Sequence, residues 1–276
     1  MDETELIGLL QKFGELPPQT EEGQAVAEQL AGMTFAINGL LLFSCDLNTR
    51  VLAACGLARL DSTTAETVLP VLVEGLRSAD VAHRVYAAFA CRCLGPLAAP
   101  AVPNLIELLE DDDEFVVQHS IQALEAIGHA SAGAVSGLAG LLDGISLESS
   151  GIRLVHACTA AAALGAIGPA AHEAIPALQQ CLDLDGSEDG LLREVQLSAA
   201  EAIWQVSGDT QAPLRVATKM LGDDESGNRC RAAELLGNLG PVARPAIADL
   251  QRLLNDNEEV VRRYATEALM QIETPL

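Results

Sequence analysis

The sequence is poor in aromatic residues and in positive charge. Phe, Trp and Tyr make up 3% of the 276 residues, and 16 Lys and Arg stand against 39 Asp and Glu, which gives a formal net charge of −23. A protein this acidic repels a phosphate backbone unless its few cations are clustered. The basic residues are spread from Lys12 to Arg263, so the composition predicts no nucleic-acid binding.

Paired-cysteine motifs are also lacking. The seven cysteines are odd in number and none forms a CxxC pair. This usage indicates small buried thiols in a reducing compartment rather than disulfides. The acidic N-terminus is unlike a secretory signal. Together these features predict a cytoplasmic protein.

One stretch near the N-terminus is apolar enough to raise the question of a membrane span. This stretch, 25–45, contains Glu28 and is interrupted by Gly32 and Gly39. Only its last 13 residues, 33–45, are nearly uncharged and apolar, whereas a span needs about 20. The stretch therefore predicts a buried helix of a first repeat, and no membrane partner.

One pattern of small and apolar residues recurs seven times. A small residue is followed by an apolar one four places later and another three places after that, and the copies begin 34, 33, 40, 39, 33 and 33 residues apart. This spacing places three side chains on one helix face. A period in the thirties is typical of stacked helical hairpins. The triplets are Ala53/Leu57/Leu60, Ala87/Cys91/Leu94, Ser120/Leu124/Ile127, Ala160/Leu164/Ile167, Ala199/Ile203/Val206, Ala232/Leu236/Leu239 and Ala265/Leu269/Ile272.

A second pattern starts with Gly followed by Pro or His and places small or apolar residues at fixed positions after it. It occurs at 95–105, 128–138, 168–178 and 240–250. Gly can end a helix in a left-handed conformation, and Pro prevents the helix from continuing. Each unit is therefore predicted to be a helix A, an acidic turn, a helix B and a Gly-Pro corner.

The order of these features resembles HEAT repeats, most closely the short bacterial kind first noted in phycobilisome lyases. The segment GPxAxxAVPxLxxLLxD, an acidic turn and an Arg-led helix ending in LxxIG carry the resemblance, which covers residues 33–272. It implies an all-α, right-handed solenoid of about seven helical hairpins over 33–276. Residues 1–32 do not fit the pattern and are expected to form an N-terminal helical cap.

The resemblance also implies that an acid in each turn and an Arg at the start of helix B bond across repeats. Four acid–Arg pairs with i, i+4 spacing predict such a structural ladder rather than a phosphate-binding column. The middle repeats depart from it, with Val117, Ala157 and Gln196 in the Arg column. The four pairs are Asp46/Arg50, Asp80/Arg84, Glu225/Arg229 and Glu258/Arg262.

The turns between A and B should emerge on one edge of the solenoid and form an acidic ridge. Negative charge at the start of each helix B explains part of that acidity. Five consecutive acids at 110–114 exceed this need. We therefore assign Asp111, Asp112, Asp113 and Glu114 to the predicted partner-binding surface.

The face of helix B opposite the triplet should line the concave surface. On this face Glu201, Glu234 and Glu267 recur at 33-residue spacing and predict an acidic strip. Trp204 lies beside them, either as an interface anchor or packed between repeats. Phe89 and Glu125 complete the predicted partner-binding set. The first two repeats offer Val51, Cys55, Val85 and Phe89 on this face, an apolar end that with the acidic strip predicts a basic, amphipathic partner.

Candidate metal and catalytic motifs are weak. The alternating residues Asp183, Asp185, Ser187, Asp189 and Glu194 resemble a calcium loop, but Glu188 stands where such a loop needs Gly. Iron-dependent hydroxylases built from related repeats use several His-Glu dipeptides, and this chain has one, His172-Glu173. No Ser-His-Asp grouping, phosphate loop or HExxH motif is present. We therefore predict no metal and no cofactor.

These observations predict a non-enzymatic protein–protein interaction scaffold. It would present acidic A–B turns and a part-acidic concave face to a protein partner with a basic segment. Two alternatives stay open: a bilin lyase-related or other small-molecule-modifying HEAT protein, and a structural subunit of a larger assembly.

Overall fold

The computed structural model describes residues 2–17, 20–146, 148–184 and 190–273. These residues form α-helices and short 3-10 helices, with no β-strand among them. The prediction of an all-α solenoid is confirmed. The chain divides into two compact units, unit 1 (Met1–Ala134) and unit 2 (Val135–Leu276). The division into a cap and a repeat region at residues 32/33 stays a prediction.

Unit 1 contains two N-terminal helices followed by three hairpins. The helices are α1 (Glu3–Glu15), α2 (Glu21–Ala31), α3 (Thr34–Phe43), α4 (Leu47–Leu60), α5 (Ala65–Leu76), α6 (Val81–Leu94), α7 (Val102–Glu107) and α8 (Glu114–Ile127). Short 3-10 helices, Ser62–Thr64 and Leu108–Glu110, lie in two of the connections.

Unit 2 contains four hairpins. Its helices are α9 (Val135–Gly140), α10 (Gly151–Ile167), α11 (Ile175–Leu182), α12 (Gly190–Ser207), α13 (Gln211–Met220), α14 (Ser226–Leu239), α15 (Ile247–Leu253) and α16 (Glu259–Glu273). In both units the odd-numbered helices from α3 onward are the A helices, and the even-numbered helices from α4 onward are the B helices.

The recurring triplets form the interior of each unit. All their members are buried except Leu60 and Leu269, which are half-buried. Small residues let neighbouring B helices approach closely: a Cβ added to Gly165 would lie 3.3 Å from the Cα of Ala202 on the next B helix. Because each fully buried Leu or Ile contributes about 1.5–3 kcal/mol, these rows supply much of the stability of the stack.

Each Gly-led corner forms a 3-10 helix before the next A helix begins. The four segments are Gly95–Ala101, Gly128–Ala134, Gly168–Ala174 and Gly240–Ala246. Gly95 adopts φ 57° and ψ −132°, a positive-φ conformation suited to Gly but outside the left-handed helical region that we expected. Ala98 and Ala101, three and six places later, are fully buried, which explains why the pattern keeps these positions small.

Helix α1 packs along the first B helix, α4. A Cβ added to Gly56 would lie 2.5 Å from Cδ2 of Leu10, so the absence of a side chain at this position admits α1. Arg59 of α4 donates hydrogen bonds to the carbonyls of Phe13 and Leu16, and its guanidinium lies 4.0 Å from the centre of the Phe13 ring. The C-terminal end of α1 is thereby fixed to α4.

The position of α1 corresponds to that of a preceding B helix. Ala202 and Ala268 occupy the same register position in α12 and α16 as Gly56 does in α4, three places after the small residue of the triplet. Both lie against a Gly of the preceding B helix, Gly165 and Gly237 respectively. Helix α1 therefore covers the side of α4 that other B helices turn toward their predecessor.

Helix α3 is buried on one side only. Ile37 and Leu41 are buried, but Phe35 is 94% exposed and Leu42 is 62% exposed. The prediction of a buried helix is therefore wrong for the outer face of this segment. The reason is geometric, because the outer face of an A helix points to solvent: in α5, Glu66 holds the place that Phe35 holds in α3 relative to the buried pair.

Within the described residues, two longer stretches are apolar and long enough to cross a membrane, Val81–Glu110 and Gly151–Leu182. Each consists of a B helix, a corner and the following A helix, and each is broken at a Gly with positive φ, Gly95 or Gly168. About half of the most apolar part of each is buried, 50% and 56%. Helices α2 and α3 together are also long and apolar enough to cross a membrane, but the pair is bent by 76°.

Candidate protein-binding site

The A–B turns share a hydrogen-bonding device that fixes many of their acids. The Asp111 carboxylate accepts from the backbone N–H of Asp113 at 3.0 Å, and the Asp256 carboxylate accepts from that of Glu258 at 3.0 Å. Asp113 is in turn the N-cap of α8 and accepts from the N–H groups of Phe115 and Val116. Asp111 and Asp113, two of the predicted partner-binding residues, thus stabilise their own turn.

Arginines at the starts of B helices connect consecutive turns. Arg84 donates to the carbonyls of Ser78 and Ala79 in its own turn. It also forms a two-point ion pair with Asp111 of the next turn, Nε–Oδ2 2.8 Å and Nη2–Oδ1 2.9 Å. The two side chains are only 14% and 10% exposed. A guanidinium held in this way acts as a clamp between hairpins and is not open to a phosphate.

The same clamp recurs in unit 2. Arg229 donates to the carbonyls of Asp223 and Asp224 and pairs with Asp256 through two contacts of 2.9 Å. The hydrogen bonds from Arg229 lower the pKa of Asp256, and those to Asp256 raise the pKa of Arg229. Both clamps join residues 27 places apart.

The acid four residues before each arginine is not its ion-pair partner in these clamps. The Asp80 carboxylate accepts from the N–H of Ala82, and its carbonyl accepts the N–H of Arg84 in the first turn of the helix. The same backbone bond joins Asp46 to Arg50, Glu225 to Arg229 and Glu258 to Arg262. The i, i+4 spacing therefore reflects a helix start, where the carbonyl of the N-cap residue accepts the first hydrogen bond of the helix.

The remaining two arginines of the predicted ladder use other partners. Arg50 pairs with Glu74 at 2.8 Å. Arg262 donates to the carbonyls of Asp256 and Asn257. Three of the ladder arginines, Arg84, Arg229 and Arg262, therefore bind carbonyls of their own turn, whereas Arg50 pairs with an acid on helix α5.

In one of the middle repeats, Gln196 and Arg193 together make the two kinds of contact that a single arginine makes in a clamp. Gln196, which stands in the Arg column, donates to the carbonyls of Leu182 and Leu184. Asp223, 27 residues after Gln196, is paired instead with Arg193 at 3.0 Å, and its side chain is 2% exposed. The sequence reasoning missed the pair of Arg193 and Asp223. The 27-residue spacing between clamp partners, counted from Gln196, could have identified Asp223 but not Arg193.

Only part of the acidic run at 110–114 is exposed. Asp111 and Asp113 serve the turn, whereas Glu110, Asp112 and Glu114 are exposed. This turn therefore presents three carboxylates rather than five.

Three B helices of unit 2 carry the predicted acidic strip, which we define as Glu201, Glu234 and Glu267. Glu201 on α12 is half-buried and pairs with Arg231 of α14, with Nη2 and Oε2 3.1 Å apart. Burial raises the pKa of Glu201, an effect that Arg231 opposes and Glu234 reinforces. Glu234 on α14 is exposed. Glu267 on α16 has a side chain 58% exposed, with Nε of Arg263 at 3.8 Å.

A cleft of about 450 Å³ lies between the first turns of α12 and α14. Glu194, Glu225 and Arg231 line it, together with Leu191. Gly227 leaves it open, because a Cβ added there would meet no atom within 4 Å. Arg231 thus borders both the cleft and the acidic strip. The arrangement offers two carboxylates and an apolar side chain to an entering group.

Trp204 packs partly into unit 2. It is half-buried against the hydrophobic core that includes Leu236 and Ala233. One side of the indole therefore supports α12, while the remainder stays accessible beside Glu201, its neighbour on the same helix face.

The predicted apolar end of the concave face lies in unit 1 and is largely covered. Val51 and Cys55 are buried on α4, against which α1 packs. Phe89 is half-buried, with its ring edge-on to His119 at a centroid distance of 5.8 Å. Burial lowers the pKa of His119. Glu125, on the same face of α8, is half-buried.

Burial raises the pKa of most of the thiols in the described residues. All seven cysteines are free, and Cys45 is exposed in the connection between α3 and α4, contrary to the expectation that every thiol is buried. Burial raises the pKa of Cys55, Cys91 and Cys158 to about 12. In the part of the chain that the structure describes, no three His, Cys, Asp or Glu residues are grouped as metal ligands. Most of the calcium-like loop, 185–189, lies outside the described residues.

Comparison with protein families agrees with this architecture. A profile of HEAT repeats matches residues 69–144 and 189–270, more than half of the chain. The chain belongs to the HEAT-repeat family. A second profile, the PBS lyase HEAT-like repeat, matches residues 157–183. The resemblance to phycobilisome-lyase repeats that the sequence carries is thereby confirmed.

Several solved structures are similar to this HEAT-repeat protein. The complex of CpcE and CpcF of phycocyanin lyase from Nostoc sp. PCC7120 matches with a TM-score of 0.59 and 26% identity, over 87% of this chain and 94% of that chain. An engineered protein matches with a TM-score of 0.53 and 22% identity, over 98% and 79%. Kap121p bound to Nup53p matches with a TM-score of 0.53 and 13% identity, over 97% of this chain and 31% of that one. No curated protein matches this chain.

Proposed function

We propose that this HEAT-repeat protein is a non-enzymatic interaction module that binds a basic segment of a protein partner. The observation that carries the proposal is the acidic strip. Glu234 and Glu267 lie at the same register position on consecutive B helices, they are exposed, and neither belongs to an arginine clamp between turns. The contact of Glu267 with Arg263 is long, at 3.8 Å, and exposed on both sides, so the carboxylates of Glu234 and Glu267 can pair with a partner.

The surroundings of the strip support a basic partner rather than a neutral one. The cleft has Glu194 and Glu225 as well as Arg231 in its walls, and its volume of about 450 Å³ can hold a Lys or Arg side chain. The exposed part of Trp204 adds apolar and cation–π contact next to the carboxylates. The net charge of −23 accelerates encounter with a cationic partner at low salt. The exposed turn acids Asp112 and Glu114 form a second acidic surface in unit 1.

The test compares two variants that each remove three negative charges, at different places on the surface. The strip variant is Glu201→Gln/Glu234→Gln/Glu267→Gln. The control is Glu66→Gln/Glu107→Gln/Glu173→Gln, whose three acids are exposed on A helices or a corner. The probe is a labelled helical peptide with Lys and Arg along one face and Ala elsewhere, measured by fluorescence anisotropy.

If each strip carboxylate contributes about 0.5 kcal/mol, the strip variant should bind the peptide about tenfold more weakly. The control should stay within about twofold of the wild type. The difference should shrink at high salt, because the contacts are screened. Equal losses in the two variants would mean that only the net charge attracts the peptide, and the proposed site would be wrong.

A second candidate function is participation in pigment attachment. The observations that favour it are the match to the phycocyanin lyase complex at 26% identity over 94% of that chain and the PBS lyase repeat at 157–183. The protein would then act together with a partner subunit on a bilin. Incubation with a free bilin should in that case produce a shifted absorbance spectrum that persists after gel filtration, whereas an interaction module should leave the pigment unbound.

A further inference from the structure

The outer face of α3 is an apolar surface that the repeat architecture does not use. Phe35, Gly39 and Leu42 lie on one stripe of the helix, spaced i, i+4 and i+7. We call them the outer stripe. The buried residues Ile37 and Leu41 lie on the opposite side. Phe35 has the largest exposed fraction among the exposed large hydrophobic residues of the described chain, at 94%, and Leu42 is 62% exposed.

A groove adjoins the outer stripe. It has a volume of about 370 Å³ and lies between α3 and the start of α1, with Ala36, Gly39 and Leu40 on one side and Leu6 on the other. Asp2 and Glu3 also line the groove. The surface therefore combines two projecting apolar side chains, a recess beside small residues and an acidic rim. Exposed apolar area of this kind, rimmed by polar groups, marks interaction sites in soluble proteins.

The charge around the groove restricts what can cover it. Asp2 and Glu3 line the groove, and the sequence has no basic residue between Lys12 and Arg50. A second copy of the chain would bring the same acids against these, and an anionic membrane would also be repelled. A partner with apolar anchors flanked by Lys or Arg satisfies both the stripe and the rim.

We infer that the outer stripe and its groove form a second docking surface, for an amphipathic helix of another protein with basic residues at its ends. The distance along the helix from Phe35 to Leu42 is about 10 Å, or two turns. This matches the spacing of anchors at i, i+3 or i+4, and i+7 in a helix that lies in a groove. The surface is in unit 1 and shares no residue with the acidic strip, which is in unit 2.

The test uses a labelled amphipathic peptide of about 15 residues, with Leu at i, i+3, i+4 and i+7 and Lys at both ends. A scrambled peptide of the same composition controls for charge alone. The docking variant is Phe35→Ser/Leu42→Ser, and the rim variant is Asp2→Asn/Glu3→Gln. The matched control is Leu97→Ser/Val242→Ser, since these residues are 50% and 43% exposed and lie on corners away from α3 in sequence. Far-UV circular dichroism and thermal melts of all variants verify that the fold is kept, as expected for exposed positions.

The inference predicts that the docking variant loses at least tenfold in affinity and the rim variant severalfold, with the control unchanged. Glu234→Gln/Glu267→Gln should leave this peptide's affinity unchanged. The experiment therefore distinguishes a wrong docking surface from a wrong assignment of the acidic strip as a binding site. Equal binding of the scrambled peptide, or of the docking variant, would overturn the inference. So would a dimer that Phe35→Ser/Leu42→Ser dissociates, seen by light scattering, or sedimentation of the wild type with phosphatidylcholine vesicles that this variant abolishes.

Discussion

Two neighbouring aspartates in the turn before α8 should have opposite roles. Asp111 is paired with Arg84 through two contacts and accepts a hydrogen bond from the N–H of Asp113, whereas Asp112 is exposed. Replacing Asp111 with Ala removes all three interactions. Replacing Asp112 with Ala removes the same charge from the same turn but none of these contacts. The pair of variants therefore separates stability from surface charge.

The expected magnitude follows from the contacts that survive. Removing one member of a buried ion pair typically costs 3–5 kcal/mol when the other charge is stranded. Arg84 is not stranded, because it keeps the carbonyls of Ser78 and Ala79, and its side chain is 14% exposed. We therefore expect Asp111→Ala to lower the free energy of unfolding by about 2–3 kcal/mol. Asp112→Ala should change it by less than about 0.5 kcal/mol.

Urea denaturation followed by circular dichroism at constant pH measures both values. A double-mutant cycle with Arg84→Met should give a coupling of about 1–2 kcal/mol between Arg84 and Asp111. Equal stabilities of the Asp111→Ala and Asp112→Ala proteins, or a coupling near zero, would refute the argument that the clamp joins consecutive turns.

Three further predictions concern charge, thiols and the cleft. The pKa of Asp256 is lowered in the folded protein, chiefly by hydrogen bonds from Arg229. The stabilisation by Asp256 is therefore complete above the ordinary carboxyl pKa of about 4 and is lost as the pH falls below it. Asp256→Asn should flatten the fall in unfolding free energy between about pH 5 and 3, and an unchanged slope would contradict this. Cys45 is the exposed thiol, so one of the seven should react rapidly with a thiol reagent in the native protein and Cys45→Ser should abolish that phase, whereas a rapid phase that survives the replacement would place it elsewhere. Gly227→Leu should fill the open cleft without loss of stability and weaken the basic peptide severalfold, while unaltered affinity would exclude the cleft from the binding site.

The periodic features of the fold were predictable from sequence because they reflect burial. A packed interior requires the triplets and the small residues of the corners. All the triplet residues except Leu60 and Leu269 are buried. The 3-10 form of the corners was not predictable, since the Gly-Pro signal indicates where a helix ends but not how the chain continues. The packing of α1 against α4 was also hidden, because it depends on the space above Gly56 and not on any period.

The site was harder to predict because charge patterns do not state their partners. Spacing of i, i+4 suggested that Asp80 pairs with Arg84, but the N-cap role of Asp80 takes precedence and Arg84 reaches Asp111 instead. Hydropathy alone placed α3 in the interior, although the outer face of an A helix is exposed. Whether Glu201, Glu234 and Glu267 bind a partner depends on a molecule outside this sequence. Binding of a basic segment by this acidic strip remains the central prediction.

Carboxyl footprinting of the protein with and without its bound basic peptide tests that prediction most directly. Carbodiimide-activated labelling, read by mass spectrometry, reports the accessibility of each carboxylate. The account predicts that the peptide protects Glu234 and Glu267 and leaves Glu66 and Glu107 on the A helices labelled as before. Protection of the A-helix acids, with Glu234 and Glu267 still fully labelled, would contradict it.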